Sequence, residues 1–427
     1  MRPPTHELYP KEYLPGRGIT RKVTYKSERI VPLERFKDLE HYSDVLYYCV
    51  KCGQCRSIYQ EPGRGRTCPS GDLRRFEAYY LGGKNLLLWG LLRGKISWSK
   101  YLAEILYHCT LCGNCAQQCQ VVEIHYYALE WLEAARREAV RLGFGPMPEH
   151  KRFGEHTAKE HNPYLEPHEK RWDWLPFNKE SLPEKAEVVY FVGCTSSYRQ
   201  KEIAIATVNI LKKLGVNFTI LWREGFDEWC CGSPLERTGQ VEIVKELAEH
   251  NIAAIERTGA NTVITSCAGC YRMLKEDYRE RYGLKSEFDV LHMLHLILDY
   301  VKKGKLKLKE LKAKVTYHDP CHLGRHMGVY EEPRELLRMI PGLELIEMER
   351  TKENAWCCGA GGGVMAAFKE LASYAAHERV LEAERTGADI LVSSCPFCWR
   401  NLNDDIKRHE HKISMKDITE LILEAME

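Results

Sequence analysis

The chain has 427 residues, enough for two or three domains that each bury a core, and its 44% apolar and 29% charged residues are ordinary for a globular protein. A net charge of +2 leaves no basic excess to displace counterions from phosphates, which excludes a nucleic-acid partner. The N-terminus lacks the unbroken apolar run of a secretory signal, so the eighteen cysteines are expected as metal ligands in a reducing, cytoplasmic setting rather than as disulfides.

Residues 1–40 are rich in Pro, Gly and charge, have no helical or alternating period, and read as an extended arm. Residues 41–142 read as a small helical domain, with a clear helix over ALEWLEAARREAVRL from Ala128 to Leu142. It holds eight cysteines in two sets: Cys49, Cys52 and Cys55 with Cys68 beyond, then Cys109, Cys112, Cys115 and Cys119. Three cysteines at CxxCxxC with a remote fourth form the bacterial ferredoxin arrangement, in which the fourth Cys of each set ligates the other cluster. That rule pairs Cys49, Cys52, Cys55 and Cys119 on one [4Fe-4S] cubane, and Cys109, Cys112, Cys115 and Cys68 on a second. Zinc knuckles use CxxC pairs, so a third cysteine at the same spacing is surplus to them.

Two departures from the simple ferredoxin pattern stand out. Twelve residues, RSIYQ to GRT, separate Cys55 from Cys68, and Gln120 rather than Pro follows Cys119. The insertion sets Cys68 apart from the other seven. Arg64, Arg66, Arg74 and Arg75 near it read as solvated surface, with an anion site as the second reading. The longest apolar stretch, LLLWGLL from Leu86 to Leu92, is far shorter than the roughly 20 residues that span a bilayer. Any membrane contact is therefore expected through a partner. Residues 143–185 turn polar, His-rich and Pro-punctuated, and read as a linker laid over the surface.

From Ala186 short β-rich runs alternate with amphipathic helices, and the pattern is written twice. RTGANTVITSCAGCYRML from Arg257 returns as RTGADILVSSCPFCWRNL from Arg385. The fold class expected is therefore α+β/α/β: a helical ferredoxin-type domain, then two tandem Rossmann-like α/β units over 186–312 and 313–427. Each unit carries five cysteines in one order: Cys194, Cys230, Cys231, Cys267 and Cys270, then Cys321, Cys357, Cys358, Cys395 and Cys398. The intervening residues number 35, 35 and 2 in the first copy and 35, 36 and 2 in the second. Four β-like runs end at Cys194, Cys267, Cys321 and Cys395, where parallel sheets place ligand sites. Gly232, Gly359, Gly361 and Gly362 are expected to bring backbone close to an anionic cofactor. GAGGG lacks the GxGxxG spacing of a nucleotide site, so electrons are expected from another protein.

Two ferredoxin-type motifs followed by two complete C…CCG…CxxC units resemble the D subunit of heterodisulfide reductase, the fused form of the small and catalytic subunits in methanogenic archaea and their relatives. The resemblance covers roughly residues 41–410. It implies that each five-cysteine set is catalytic and holds a noncubane [4Fe-4S] cluster. It also implies that the disulfide of coenzyme M and coenzyme B, or a similar small disulfide, binds between the units and is cleaved there. The electron donor implied is a membrane cytochrome b subunit, with a flavoprotein or ferredoxin as other candidates, and it would hold the chain at the inner face of the membrane. The same modular order occurs in iron-sulfur subunits of flavin-linked glycolate, lactate and glycerol 3-phosphate dehydrogenases, and in a sulfite-reduction membrane complex. In those the chain would relay electrons without binding a disulfide.

His318, His322, Arg325 and His326 flank Cys321. His322 is a candidate proton donor to a leaving thiolate, while orientation of the ligand loop is the plainer role for these histidines. Trp229 and Trp356 precede the CC pairs and are expected to pack around the clusters. His292 and His295 are spaced for one face of a helix over 290–301 and read as core or interface residues rather than haem ligands.

Overall fold

The computed structural model describes residues 37–58 and 65–426. The expected arm falls almost wholly outside them. In the C-terminal part, β1 (Val188–Tyr190), β2 (Phe218–Thr219), β3 (Thr262–Thr265) and β4 (Asp289–His292) form one sheet in the order β2-β1-β3-β4. A second sheet repeats that order as β6-β5-β7-β8, from β5 (Ala313–Tyr317), β6 (Leu343–Leu345), β7 (Ile390–Ser393) and β8 (Ser414–Asp417). All neighbours pair in parallel. Helices cover both faces of such sheets, which is why the central strands are apolar throughout rather than alternating. Val189, Tyr190, Val263, Ile264, Leu391 and Val392 are all fully buried.

The strand order places the sites. The chain leaves β1 for one side of the sheet and returns to pair β3 on the other, so the loops after β1 and β3 diverge and leave a crevice at their carboxyl ends. Cys194 and Cys267 follow these two strands, and Cys321 and Cys395 follow β5 and β7. The helix after the fourth strand of each unit packs on the helix after the first strand of the other. Ile418–Ala425 lies on Lys201–Lys213, and Met293–Lys302 lies on Glu331–Arg338. This reciprocal exchange is the self-complementary contact of a two-fold pair, written within one chain. It turns the two cysteine-bearing ends toward each other and merges both sheets into one hydrophobic core.

The N-terminal helices have a separate core around Leu88, Leu102, Leu106 and Trp131. The predicted helix is longer than its sequence signal, running Val122–Arg141. Buried ion pairs lock it to the first unit: Glu133 accepts from Arg237 Nη1 at 2.8 Å and Arg281 Nη2 at 2.6 Å.

Two expectations are corrected. Residues 143–185 are not a linker over the surface. They contain the helix Pro148–Glu160 and send Arg171, Trp172 and Trp174 inside, because Arg171 serves the cysteine site directly. Nor do His292 and His295 share a helical face. His292 ends β4 and caps the helix Met293–Lys302, its Nδ1 accepting from Leu294 N. That edge strand is too short, and joined too directly to its helix, to show a separate period.

Candidate metal centre

The structure sorts the N-terminal thiols as the ferredoxin rule pairs them. Cys119 lies among Cys49, Cys52 and Cys55, whereas Cys68 lies beside Cys109 and Cys112, and Cys115 completes that group. Cys68, despite the insertion before it, is buried at the start of the helix Pro69–Arg74, where its Sγ accepts from Gly71 N at 3.4 Å. The insertion leaves Ser57 and Arg66 bridged as an antiparallel pair. Arg66 is anchored to Asp72 and Glu378, and Arg74 to Glu370 and His108, so both basic side chains serve as struts. Buried Lys84 faces Cys68, Cys109 and Cys115. A cation held there suits a group of thiolates.

The five-cysteine sets close in the same way. In the first, Cys194 meets Cys230, Cys231 lies 3.4 Å from Cys270, and Cys270 adjoins Cys267. In the second, Cys357 meets Cys321 and Cys358, Cys358 lies 3.3 Å from Cys398, and Cys398 adjoins Cys395. Gly232 N donates to Cys230 Sγ at 3.4 Å and Gly359 N to Cys357 Sγ at 3.3 Å, one contact per copy. All eighteen cysteines are free thiols. A buried cluster of sulfur donors fits thiophilic iron-sulfur centres, because thiols are weak partners for each other and thiolates need a cation. Space fits as well: at Gly193, with φ +78°, a Cβ would stand 2.9 Å from Cys270 Sγ.

Two sulfur contacts join the sets. Cys267 reaches Cys395 across the two units, and Cys112 of the N-terminal domain reaches Cys357 of the second unit. Around the first of these lies a cavity of about 370 Å³, lined by every cysteine of both units except Cys357. His322, Tyr164, Arg199, Arg237 and Arg400 also line it. Burial and the nearby Arg272 push the His322 imidazole down to about 3, so it reaches the cavity neutral. His318 stands with Cys358 and Cys398, accepting at Nδ1 from Arg379.

Arg171 and Glu228 carried no local signal. Arg171, wholly buried, donates to Cys194 Sγ at 3.3 Å and to Glu228 at 2.8 Å, while Glu228 accepts from Val192 and Gly193 N. Arg325 donates to the carbonyls of Cys112 and Ala355, tying the N-terminal cysteines to the second unit. Trp356 is buried under Arg350, and Trp229 stacks between His161 and His250 at centroid distances of 3.6 Å. The tryptophans pack, as expected.

Gly361 and Gly362 line the cavity, and they also admit the N-terminal domain. A Cβ on Gly362, at φ +63°, would sit 2.5 Å from the Cys109 carbonyl, and one on Gly361 would sit 2.9 Å from that of Thr110. Gly362→Ala is therefore expected to cost about 1–3 kcal/mol by forcing main chains apart. Thermal melting of the cluster-loaded protein should show it, with iron lost first from the set containing Cys109.

Matches to known families agree with this layout. Residues 188–275 and 315–403 match the cysteine-rich domain, and 45–122 match the 4Fe-4S dicluster domain. Fold and site thus define an iron-sulfur oxidoreductase in which a dicluster module is fused to a cysteine-rich repeat. The D subunit of the dihydromethanophenazine:CoB–CoM heterodisulfide reductase of Methanosarcina acetivorans is 41% identical over 391 residues, covering 88% of this chain and 93% of that one. The chain belongs to the family of heterodisulfide reductase D subunits. It is also similar to the B subunit of the fumarate reductase (CoM/CoB) of Methanothermobacter marburgensis, at 36% identity over 71% of this chain and 58% of the relative. The EtfAB:quinone oxidoreductase of Syntrophomonas wolfei is 32% identical over 76% and 47%. A hypothetical protein from Helicobacter pylori shares the fold alone, with 9% identity and a TM-score of 0.50 over 81% of this chain and 68% of that one.

Proposed function

We propose that this chain is the catalytic subunit of a heterodisulfide reductase-like complex, reducing a small disulfide such as that of coenzyme M and coenzyme B in the cavity between the repeats. When bound, two [4Fe-4S] cubanes on the N-terminal sets and two noncubane [4Fe-4S] clusters on the five-cysteine sets supply single electrons and iron for sulfur. The observation that carries the reading is the Cys267–Cys395 contact, with one cavity lined from both units. Opening a disulfide takes two electrons and leaves two sulfurs to hold, and a two-fold pair of thiol sets offers one to each. A relay needs no such shared cavity.

The chain's own groups complete the task. Arg400 presents positive charge to an anionic disulfide, Arg171 and Arg325 fix the cysteine loops, and neutral His322 can donate a hydrogen bond, but no proton, to a departing sulfur. The Cys112–Cys357 contact marks where the N-terminal sets hand over to the second unit. The donor's face is at Cys52, which is exposed beside Tyr47 and Val50, 66% and 69% exposed. A cytochrome b subunit, a flavoprotein or a ferredoxin would dock there, and among the described residues no helix is long and apolar enough to cross a membrane. A place in the cytoplasm, peripheral on the inner membrane face, follows for a membrane donor. The repeated strand order supports treating 186–312 and 313–427 as Rossmann-like units behind the 41–142 domain.

The test is turnover. Anaerobic, fully iron-loaded protein with reduced viologen and the coenzyme M–coenzyme B disulfide should release two thiols per disulfide as the dye is oxidised. No turnover with both five-cysteine sets loaded would overturn the reading in favour of an electron relay.

A further inference from the structure

On the far side of the second unit, three imidazoles converge on one buried carboxylate. Asp405, on the helix Pro396–His409, is 1% exposed, and its Oδ1 accepts no hydrogen bond. A carboxylate taken out of water needs donors or a cation around it. His377 Nδ1 lies 3.3 Å from Oδ2, His409 Nε2 3.5 Å from Oδ1, and His411 Nε2 3.5 Å from Oδ2. The rings of His377 and His409 are 4.4 Å apart between centroids, and those of His377 and His411 5.5 Å.

One of the three histidines is held from behind. His411 Nδ1 donates to Glu384 Oε2 at 2.9 Å, and Glu384 Oε1 accepts from Lys412 N at 3.1 Å. A ring whose Nδ1 gives its proton to a carboxylate keeps Nε2 bare, and this is the usual support behind a metal-binding histidine. Glu410, a non-glycine residue at φ +51°, turns the chain back after the helix so that His411 stands beside His409. Such a conformation is unfavourable for an L residue and persists when the surroundings impose it.

The structure assigns to this cluster a site for a divalent transition-metal ion, zinc foremost, with Asp405, His377 and His409 as ligands and His411 beside the carboxylate. Donor atoms around tetrahedral zinc stand about 3.3 Å apart, given bonds of about 2.0 Å. The carboxylate–imidazole separations here match, and the donor atoms of His377, Asp405 and His409 all lie within 4.8 Å of one another. Imidazole nitrogens with one carboxylate suit zinc, nickel or copper rather than magnesium or calcium. The side chains of His377 and His409 are 35% and 44% exposed, so the ion has a way in. Bound there, it would clamp the end of the helix that begins at Cys395 onto the helix Lys369–Glu384, bracing the second five-cysteine set from outside.

Isothermal titration of zinc chloride into the anaerobic, cluster-loaded full chain tests this, with iron measured before and after. One equivalent should bind to the wild type, at least tenfold more weakly to His409→Gln, and not at all to the His377→Gln/His409→Gln double variant, with iron content equal in all three. Equal zinc binding by wild type and double variant, or none by the wild type, would overturn the assignment.

Discussion

Replacing Cys395 by serine should lower disulfide reduction by roughly a thousandfold or more, the scale on which loss of a group that acts as part of a unit is felt. Cys395 is buried at the carboxyl end of β7, adjoins Cys398 within its own set, and reaches Cys267 across the units. A serine oxygen is a poor substitute for a soft thiolate on iron. Iron should fall by about four atoms per chain, one cluster's worth. The N-terminal sets do not include Cys395, so their reduction by the dye should stay intact. Iron analysis and turnover on the same preparation separate a lost site from a misfolded chain.

Asp277→Ala should destabilise the folded chain by about 3–5 kcal/mol, the usual cost of stripping one partner from a buried ionic network. Asp277 meets Arg237 and Arg272 and accepts from Arg281 Nε at 2.7 Å. Burial would raise both carboxyls of the network. Arg237, Arg272 and Arg281 outweigh it, holding Asp277 far below the carboxylate range and Glu133 at about 2. Depressed carboxylates give stability that is fully present above their unfolded value and lost as pH falls. For Glu133 that loss runs from near 4.5 down to about 2. Arg272 also contacts His326 Nδ1 at 2.5 Å, so the damage reaches the loop after Cys321. Thermal melting at neutral pH should show a fall of about 3–6 °C, given the size scaling of such shifts for a chain this long.

The cysteine sets were legible because spacing records what metal geometry demands, and a duplicated pattern confirms itself. Strand-end placement of Cys194, Cys267, Cys321 and Cys395 followed from short apolar runs that end in loops. What stayed hidden depends on contacts between distant segments. Nothing in the local pattern around Arg171 announces that it crosses to Cys194, or that Cys112 lies against Cys357. The polar composition of residues 143–185 concealed burial because their charges are paired inside, as Arg171 is with Glu228. Likewise GAGGG reads as a cofactor loop, while the atoms nearest Gly361 and Gly362 are the main chain of Cys109 and Thr110.

Single-turnover thiol release bears most directly on the claim that both units act on one disulfide. Pre-reduced protein, the wild type fully loaded and each variant with its iron counted, is mixed once with the coenzyme M–coenzyme B disulfide, and thiols are counted for the wild type, Cys267→Ser and Cys395→Ser. Two thiols per wild-type chain and none from either variant is the predicted result. Equal release from the wild type and one variant, or none from a wild type with complete iron, would contradict it.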